Sequence, residues 1–154
     1  MSNRIYRDVK KVLRKNSLLV DTYFLQKYSF SPYMACEHGC RYCDGRAEKY
    51  YVEGDFEKDI IIRRNLPEVL EQELEKVREP GFIFVGSGIS DAYQPVEADE
   101  CIMQEALEII LRTGFPVAVM TKSEIIRRDL NLLKRINEKA GAVVMFSVTC
   151  LKRK

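Results

Sequence analysis

The chain has 154 residues, of which 46% are hydrophobic and 31% are charged, a size and composition typical of one globular domain with a sizeable core. The formal net charge of +2 is close to neutral and gives no overall electrostatic argument for a nucleic-acid or membrane partner. No apolar run is long enough to span a bilayer, and the basic start lacks the apolar stretch of a signal peptide, so we expect a cytoplasmic protein.

The basic residues are concentrated at the two ends of the chain. Residues 1–16 hold six basic side chains against one acidic side chain, and residues 152–154 are all basic. We therefore divide a single domain, 1–154, into a basic N-terminal extension at 1–27, a βα core at 28–149 and a basic tail at 150–154. We predict that the ends are solvated and partly disordered, and the alternative is that they bind phosphate groups.

Hydrophobic periodicity in the middle of the chain alternates between strand-like and helix-like segments. Strands are predicted at 28–32, 82–85, 116–120 and 142–148, and helices at 66–78, at 99–113 and from Ser123 to a stop at Gly141. Continuously apolar strands that are separated by helices of this length indicate parallel pairing with right-handed crossovers. The predicted fold class is therefore α/β, with about four parallel strands and flanking helices.

The carboxyl ends of parallel strands share one rim, where α/β proteins hold their reactive groups. The segments that reach this rim are the cysteine loop after strand 28–32, the polar loop Gly86–Asp91, Thr121-Lys122-Ser123, and Ser147 with Thr149. We expect all of them to lie together.

Cys36, Cys40 and Cys43 have a C-x₃-C-x₂-C spacing, with Tyr42 directly before the last thiol. An odd total of five cysteines, three of them within eight residues, favours metal binding in a reducing compartment over a disulfide framework. Three soft thiolates suit a [4Fe–4S] cluster, and three ligands for four irons leave one iron open to an outside molecule. The sequence therefore predicts a cluster on this loop.

The alternative for the same loop is a structural zinc site in which His38 is the fourth ligand. His38 stands two residues from each neighbouring cysteine, which makes a tetrahedral arrangement awkward, and no second ligand pair closes the site. We favour the cluster, and expect His38 to be a loop residue near a bound ligand.

The cysteine motif with Tyr42 resembles the signature of the radical SAM superfamily, whose members use S-adenosylmethionine (SAM). The strings YSFSPY at 28–33 and SDAYQPVE at 90–97 are similar to those of the spore photoproduct lyase-like (DNA repair photolyase-like) branch, and so are Thr121-Lys122-Ser123 and Arg128-Asp129-Leu130. The resemblance covers about residues 9–149, and several motifs in the right order are more specific than any one of them. Asp44 and Ala92 depart from the branch, which usually has an aromatic residue and a proline there.

This resemblance implies a lyase-like radical SAM enzyme that holds a [4Fe–4S] cluster and reductively cleaves SAM to a 5′-deoxyadenosyl radical, which abstracts hydrogen from a substrate. It implies an electron donor such as a flavodoxin or ferredoxin, and the branch suggests nucleic acid as one substrate class. A different reading is a non-catalytic module that binds zinc or an iron–sulfur cluster and contacts nucleic acid through its basic ends. A further alternative is a domain that keeps its cluster but has lost catalysis.

By the same resemblance, the three cysteines hold the cluster and eight further residues contact SAM. Their implied roles are contact with the amino group for Gly86, Ser87 and Gly88, nearby polar contacts for Ser90 and Asp91, pairing with the carboxylate for Lys122, a strand-end contact for Ser147, and packing near the adenine for Tyr42.

Radical SAM domains generally have six βα units, whereas this chain supplies about four strands, so the resemblance implies only the N-terminal part of a barrel. Without a neighbour, the strand at 142–148 would have an exposed apolar edge, which proteins normally cover. We expect the remainder of a longer chain, a partner protein or self-association to cover it.

Overall fold

The computed structural model describes residues 2–24, 26–47, 52–86 and 90–148. The strands are β1 (Asn3–Arg7), β2 (Arg14–Lys15), β3 (Tyr28–Phe30), β4 (Tyr33–Met34), β5 (Asp59–Arg63), β6 (Ile83–Val85), β7 (Val117–Thr121) and β8 (Ala142–Phe146). The α-helices are α1 (Leu18–Phe24), α2 (Leu66–Leu74), α3 (Glu97–Glu100), α4 (Ile102–Thr113) and α5 (Leu130–Lys139), and short 3₁₀ helices lie at Asp44–Arg46 and Glu124–Asp129. None of the helices in these ranges is both long enough and apolar enough to cross a membrane.

The larger sheet has five strands in the order β2-β3-β6-β7-β8. Its last four strands are parallel, as the apolar runs separated by helices predict, whereas β2 pairs antiparallel with β3. The carboxyl ends of β3, β6, β7 and β8 therefore reach the same edge of this sheet.

A second sheet, with the order β1-β5-β4, is a feature that the sequence analysis missed. β1 runs parallel to β5, and β4 runs antiparallel to it. The prediction of a partly disordered N-terminus is therefore wrong for residues 3–7, which form an ordered strand. The hydrophobic pattern conceals this strand because Ile5 is its one half-buried residue and the other four are exposed.

The main hydrophobic core lies between one face of the sheets and the helices. Every second residue of the central strands contributes to it, including Ile83 and Val85 from β6 and Val117 and Val119 from β7. Helices α2 and α4 pack against each other over this core, and α4 also contacts α5. The apolar stripes that the sequence analysis assigned to the core are buried there, among them Leu66, Leu70, Leu74, Met103, Ala106, Leu107, Ile110, Leu133 and Ile136.

The helix boundaries differ from the prediction at three places. The helix predicted from Ser123 begins as the 3₁₀ helix Glu124–Asp129 and continues as α5 from Leu130. Helix α2 ends at Leu74 instead of residue 78. The helix predicted for 99–113 is broken at Cys101, whose left-handed φ of 55° separates α3 from α4. Gly114 ends α4 with a φ of 76°, and the Ser123 hydroxyl accepts a hydrogen bond from Ile125 N–H, so the predicted stop and cap are confirmed.

Strand β8 is the last strand of the larger sheet, and its outer edge pairs with no other strand in the described ranges. Its residues from Ala142 to Met145 are half-buried, and the side chain of Phe146 is 57% exposed. The apolar edge expected from the sequence is thus a feature of the described structure.

Candidate functional site

A cavity of about 270 Å³ lies at the carboxyl ends of the parallel strands. Its lining residues come from the cysteine loop, from the region before β5 and from the ends of β6, β7 and β8. They are Cys36, Cys40, Tyr42, Cys43, Asp44, Phe56, Gly86, Ser90, Asp91, Met120, Thr121, Lys122 and Ser147. Nine of the eleven predicted site residues are in this set, and the other two, Ser87 and Gly88, lie outside the described residues, as does Thr149.

The cysteine loop leaves β4 through a sharp backbone turn at Ala35, which has a φ of 66°. The N–H of Cys36 donates to Phe56 O at 2.9 Å, and the N–H of Cys43 donates to Cys40 O at 3.1 Å. Gly39, with a φ of 60°, supplies the left-handed conformation that the loop needs between its first two cysteines. These turns direct all three cysteines to the same cavity.

Residues 94–97 hold this loop in place. The buried amide of Gln94 accepts a hydrogen bond from Glu37 N–H at 2.8 Å and donates to Ala35 O at 3.2 Å. The carboxylate of Glu37 accepts in return from Val96 N–H at 2.6 Å. The sequence left open whether the stretch around Pro95 is a plain turn or shapes the cavity mouth, and these contacts show that it supports the cysteine loop.

Lys122, at the end of β7, reaches across the cavity to the cysteine loop. Its ammonium lies 3.0 Å from Cys40 Sγ, 3.0 Å from the Tyr42 hydroxyl and 5.2 Å from the centre of the Tyr42 ring. Burial lowers the pKa of Lys122, but the contacts with Tyr42 and Cys40 outweigh it and raise the pKa overall. A positive charge is thus fixed beside the thiols.

The thiols of Cys36 and Cys40 differ in their electrostatic environment. Burial raises the pKa of the Cys36 thiol. Burial also raises the pKa of the Cys40 thiol, but the hydrogen bonds from Lys122 and Tyr42 outweigh it, so that this pKa is lowered overall. Cys40 is therefore the more readily ionised of the two.

Asp91 connects three parts of the site through its buried carboxylate. It accepts hydrogen bonds from the Thr121 hydroxyl at 2.6 Å, from Lys122 N–H at 3.0 Å and from Tyr93 N–H at 2.9 Å. Burial raises its pKa, but His38, Thr121 and these N–H groups outweigh the effect and lower it overall. Asp91 is thus held by hydrogen bonds within the protein at the wall of the cavity that it lines.

Ser90 is a lining residue of the cavity, and His38 lies beside the lining residue Asp91. The Ser90 hydroxyl donates to Tyr33 O at 2.9 Å and lies 3.0 Å from the Ser31 hydroxyl. His38 Nε2 lies 3.4 Å from Asp91 Oδ2, within ion-pair distance, yet its geometry is not that of a hydrogen bond. This Nε2 is a buried nitrogen without a hydrogen-bond partner among the described residues.

The metal-binding capacity of the site can be tested on the side-chain positions. In the described ranges, no three His, Cys, Asp or Glu side chains are close enough together to hold a metal ion. Zinc needs all its ligands within about 2.3 Å of one point, whereas each cysteine of a four-iron cluster binds a different iron. The three thiols lining one cavity fit the cluster by their chemistry and their shared position.

Two lining residues, Phe56 and Met120, were not identified from the sequence. Phe56 precedes β5 without any motif, and Met120 is within the predicted strand 116–120, where an apolar residue indicates core. Met120 is instead one of the exposed apolar side chains, and its backbone closely approaches Gly86. Only the register of β6 against β7 brings it to the cavity.

Comparison with known proteins finds relatives of longer length. The chain is 30% identical over 112 residues to an uncharacterized protein of Methanocaldococcus jannaschii, a match that covers 72% of this chain and 41% of that protein. It is 28% identical over 130 residues to uncharacterized proteins of Mycobacterium tuberculosis and Mycobacterium bovis, covering 79% of this chain and 37% of each. The chain thus spans about two fifths of the length of these relatives. No family model and no solved structure matches it.

Proposed function

We propose that this chain is a radical SAM protein of the spore photoproduct lyase-like branch, with Cys36, Cys40 and Cys43 as the ligands of a [4Fe–4S] cluster. The observation that carries the proposal is the common cavity of these thiols with residues from the ends of β6, β7 and β8. These are the positions to which the resemblance assigns the SAM contacts. Separate motifs, up to 111 residues apart between Cys36 and Ser147, thus meet at one site.

When bound, the cluster would supply the electron that cleaves SAM to methionine and a 5′-deoxyadenosyl radical. The chain's own residues would bind SAM and orient it. Lys122 provides the positive charge that a SAM carboxylate requires, and Gly86 lets the backbone come close, because any side chain there would meet the backbone of Met120. Tyr42, which is 66% exposed, offers an aromatic face at the cavity mouth.

The architecture that we propose is a partial (βα) barrel, in which β3, β6, β7 and β8 are the consecutive parallel strands. The parallel order of these strands and the helices on one face are consistent with it. The activity of the whole protein, its electron donor, and a nucleic-acid or other substrate belong to the same proposal.

The test is anaerobic reconstitution of the full chain with iron and sulfide, followed by iron counting and EPR spectroscopy of the reduced protein with and without SAM. We expect about four irons per chain, as in a [4Fe–4S] cluster, and a SAM-dependent change in the spectrum. Cys40→Ala should lose the cluster, whereas Cys101→Ala, a matched control on a thiol outside the cavity, should keep it. Tight zinc binding without a cluster would refute the proposal and favour the structural module.

A further inference from the structure

The two edges of the larger sheet differ in how they are protected against pairing with another chain. Strand β2, at one edge, has only two residues, Arg14 and Lys15, and both are exposed. Strand β8, at the other edge, has five residues, and the stretch 140–148 contains no charged residue and no proline. Short length and charged side chains are the usual means by which proteins prevent edge strands from pairing. Strand β2 has both of these protections, and β8 has neither.

The hydrogen bonds between β7 and β8 show which backbone groups of β8 point away from the sheet. At one end of the pair Val117 N–H donates to Gly141 O at 3.1 Å, and at the other end Ser147 N–H donates to Thr121 O at 3.0 Å. Successive residues of a strand direct their N–H and C=O groups alternately to its two sides. Gly141 and every second residue up to Ser147 therefore face β7. The residues that face outward are Ala142, Val144 and Phe146.

These outward groups are only partly used within the chain. The N–H of Ala142 donates to Asn137 Oδ1 at 3.1 Å, which agrees with its direction away from β7. The N–H groups of Val144 and Phe146 have no acceptor among the described residues, and the C=O groups of all three outward residues have no donor there. The edge therefore offers donors and acceptors in alternation to a further strand.

We propose that β8 is a homodimer interface, in which the β8 strands of two copies of this chain pair antiparallel about a two-fold axis at Val144. Directly opposite residues of a hydrogen-bonded antiparallel pair exchange both backbone hydrogen bonds. Val144 N–H of each copy then donates to Val144 O of the other, and Phe146 N–H donates to Ala142 O. Because the outward residues lie symmetrically about Val144, the edge is complementary to itself, as a two-fold interface requires. This self-complementarity favours a second copy over another kind of partner.

The side chains of β8 are compatible with this pairing. Val143 lies opposite Met145 of the second copy, Ala142 lies opposite Phe146, and Val144 lies opposite itself. All of these pairs are apolar, so no like charges meet across the interface. The side chain of Phe146, which is 57% exposed in the single chain, gains a neighbour.

The pairing also limits itself to two copies. It consumes the unprotected edge of the larger sheet, and the protected strand β2 lies at the opposite edge of the described sheet. Neither Val144 nor Phe146 lines the cysteine cavity, so the proposal does not depend on a cluster or on SAM.

The experiment is sedimentation velocity of the metal-free full chain, under reducing conditions, as a function of protein concentration. We expect an equilibrium between monomer and dimer. Val144→Pro removes the central outward N–H but no hydrogen bond to β7, and proline is tolerated in an edge strand where the N–H faces away. It should raise the dissociation constant of the dimer at least about tenfold, because the lost N–H is used twice by symmetry.

Val144→Ile is the matched control at the same position. It keeps the outward N–H and the β-branched shape, and should dimerise as the wild type does. A chain that stays monomeric at every concentration would overturn the proposal and leave the edge to another partner. A dimer that persists undiminished in folded Val144→Pro, or association beyond a dimer, would also overturn it.

Amide hydrogen exchange of the wild type, followed by NMR at low and at high protein concentration, tests the pairing without any substitution. The amides of Val144 and Phe146 should be protected only at high concentration, where the dimer is populated. The amides of Val143 and Met145, which face β7, should be protected at both concentrations. Exchange at Val144 that does not depend on concentration would overturn the proposal even if Val144→Pro failed to fold.

Discussion

The carboxylate of Asp91 accepts a hydrogen bond of 2.6 Å from the hydroxyl of Thr121 and thereby joins the segment before α3 to the end of β7. The same carboxylate accepts the N–H of Lys122, so the residue that carries the positive charge of the cavity is fixed at its backbone. Asp91 therefore fixes the position of the Lys122 backbone, from which the Lys122 side chain extends into the cavity.

Asp91→Asn should destabilise the folded protein by about 3 kcal/mol at neutral pH, because hydrogen bonds to a charged acceptor contribute about 1.5–3 kcal/mol each and the amide cannot accept all of them. The pKa of Asp91 is lowered from 3.8 in the folded state, so its stabilisation is present above pH 3.8 and is lost as the pH falls through the folded pKa. Urea unfolding of the wild type and of Asp91→Asn between pH 3 and 7 measures their free energies of unfolding. The difference between the two free energies should become smaller at the acid end of this range. A difference independent of pH would contradict this reasoning.

Arg128→Met tests the buried ion pair between Arg128 and Glu97, whose shortest contact is 2.5 Å. Glu97 is 0% exposed, so the variant leaves a buried carboxylate without its cation, and we expect a loss of about 3 kcal/mol. Burial raises the pKa of Glu97 above 4.5, and removing Arg128 should raise it further. A carboxyl with a raised pKa destabilises the fold as the pH rises through that pKa. The deficit, which is the loss of unfolding free energy of Arg128→Met relative to the wild type, should therefore become smaller in acid.

The control for this prediction is Arg127→Met, which removes an exposed neighbouring guanidinium and should change the free energy of unfolding by less than about 0.5 kcal/mol. Chemical unfolding at pH 5 and pH 8 measures both variants. A deficit that grows at pH 5 would show that Glu97 is not the group responsible.

Gly86→Ala should destabilise the protein by about 3 kcal/mol. A β-carbon at Gly86 would lie 2.5 Å from Met120 O, a backbone atom that cannot move aside, and φ is 133°. Gly114→Ala is the control, because its φ of 76° is also positive but its new β-carbon meets only the flexible Lys139 side chain, at 3.4 Å. We expect about 1 kcal/mol there, and thermal unfolding that ranks the variants in the opposite order would refute the close-approach argument.

Lys122→Met should weaken SAM binding between about 10-fold and 150-fold, the equivalent of one charge-assisted hydrogen bond of about 1.5–3 kcal/mol. This prediction rests on the proposed function. Equilibrium binding of SAM to the reconstituted protein measures it, and the iron content should stay at the wild-type value because Lys122 is not a proposed ligand. Lys134→Met, at an exposed position on α5, should bind SAM as the wild type does.

Strong periodicity allowed the sequence to predict the main elements of the larger sheet. The strands around Ile83, Val117 and Val143 and the three longer helices were identified because their apolar residues recur with the right spacing. Asn3–Arg7 was missed because a largely exposed edge strand carries no such signal. The break at Cys101 was equally invisible, since a left-handed non-glycine residue depends on tertiary contacts rather than on local propensity.

More of the site than of the second sheet could be predicted from the sequence, because motif residues at strand ends meet whenever the strands are parallel. Cys36, Gly86 and Lys122 needed only that rule. The contact between Lys122 and Cys40 could not be foreseen, because it depends on how a loop folds over the sheet.

The hydroxyl of Ser2 donates a hydrogen bond to the carboxylate of Glu37, within the loop that carries Cys36 and Cys40. A purification tag joined to the N-terminus would therefore begin beside this loop, and a histidine-rich tag would bring competing metal ligands to the three thiols. Protein for iron and zinc determinations should accordingly be prepared without an N-terminal polyhistidine tag, or after its complete removal, so that the metal content reports the cysteines alone.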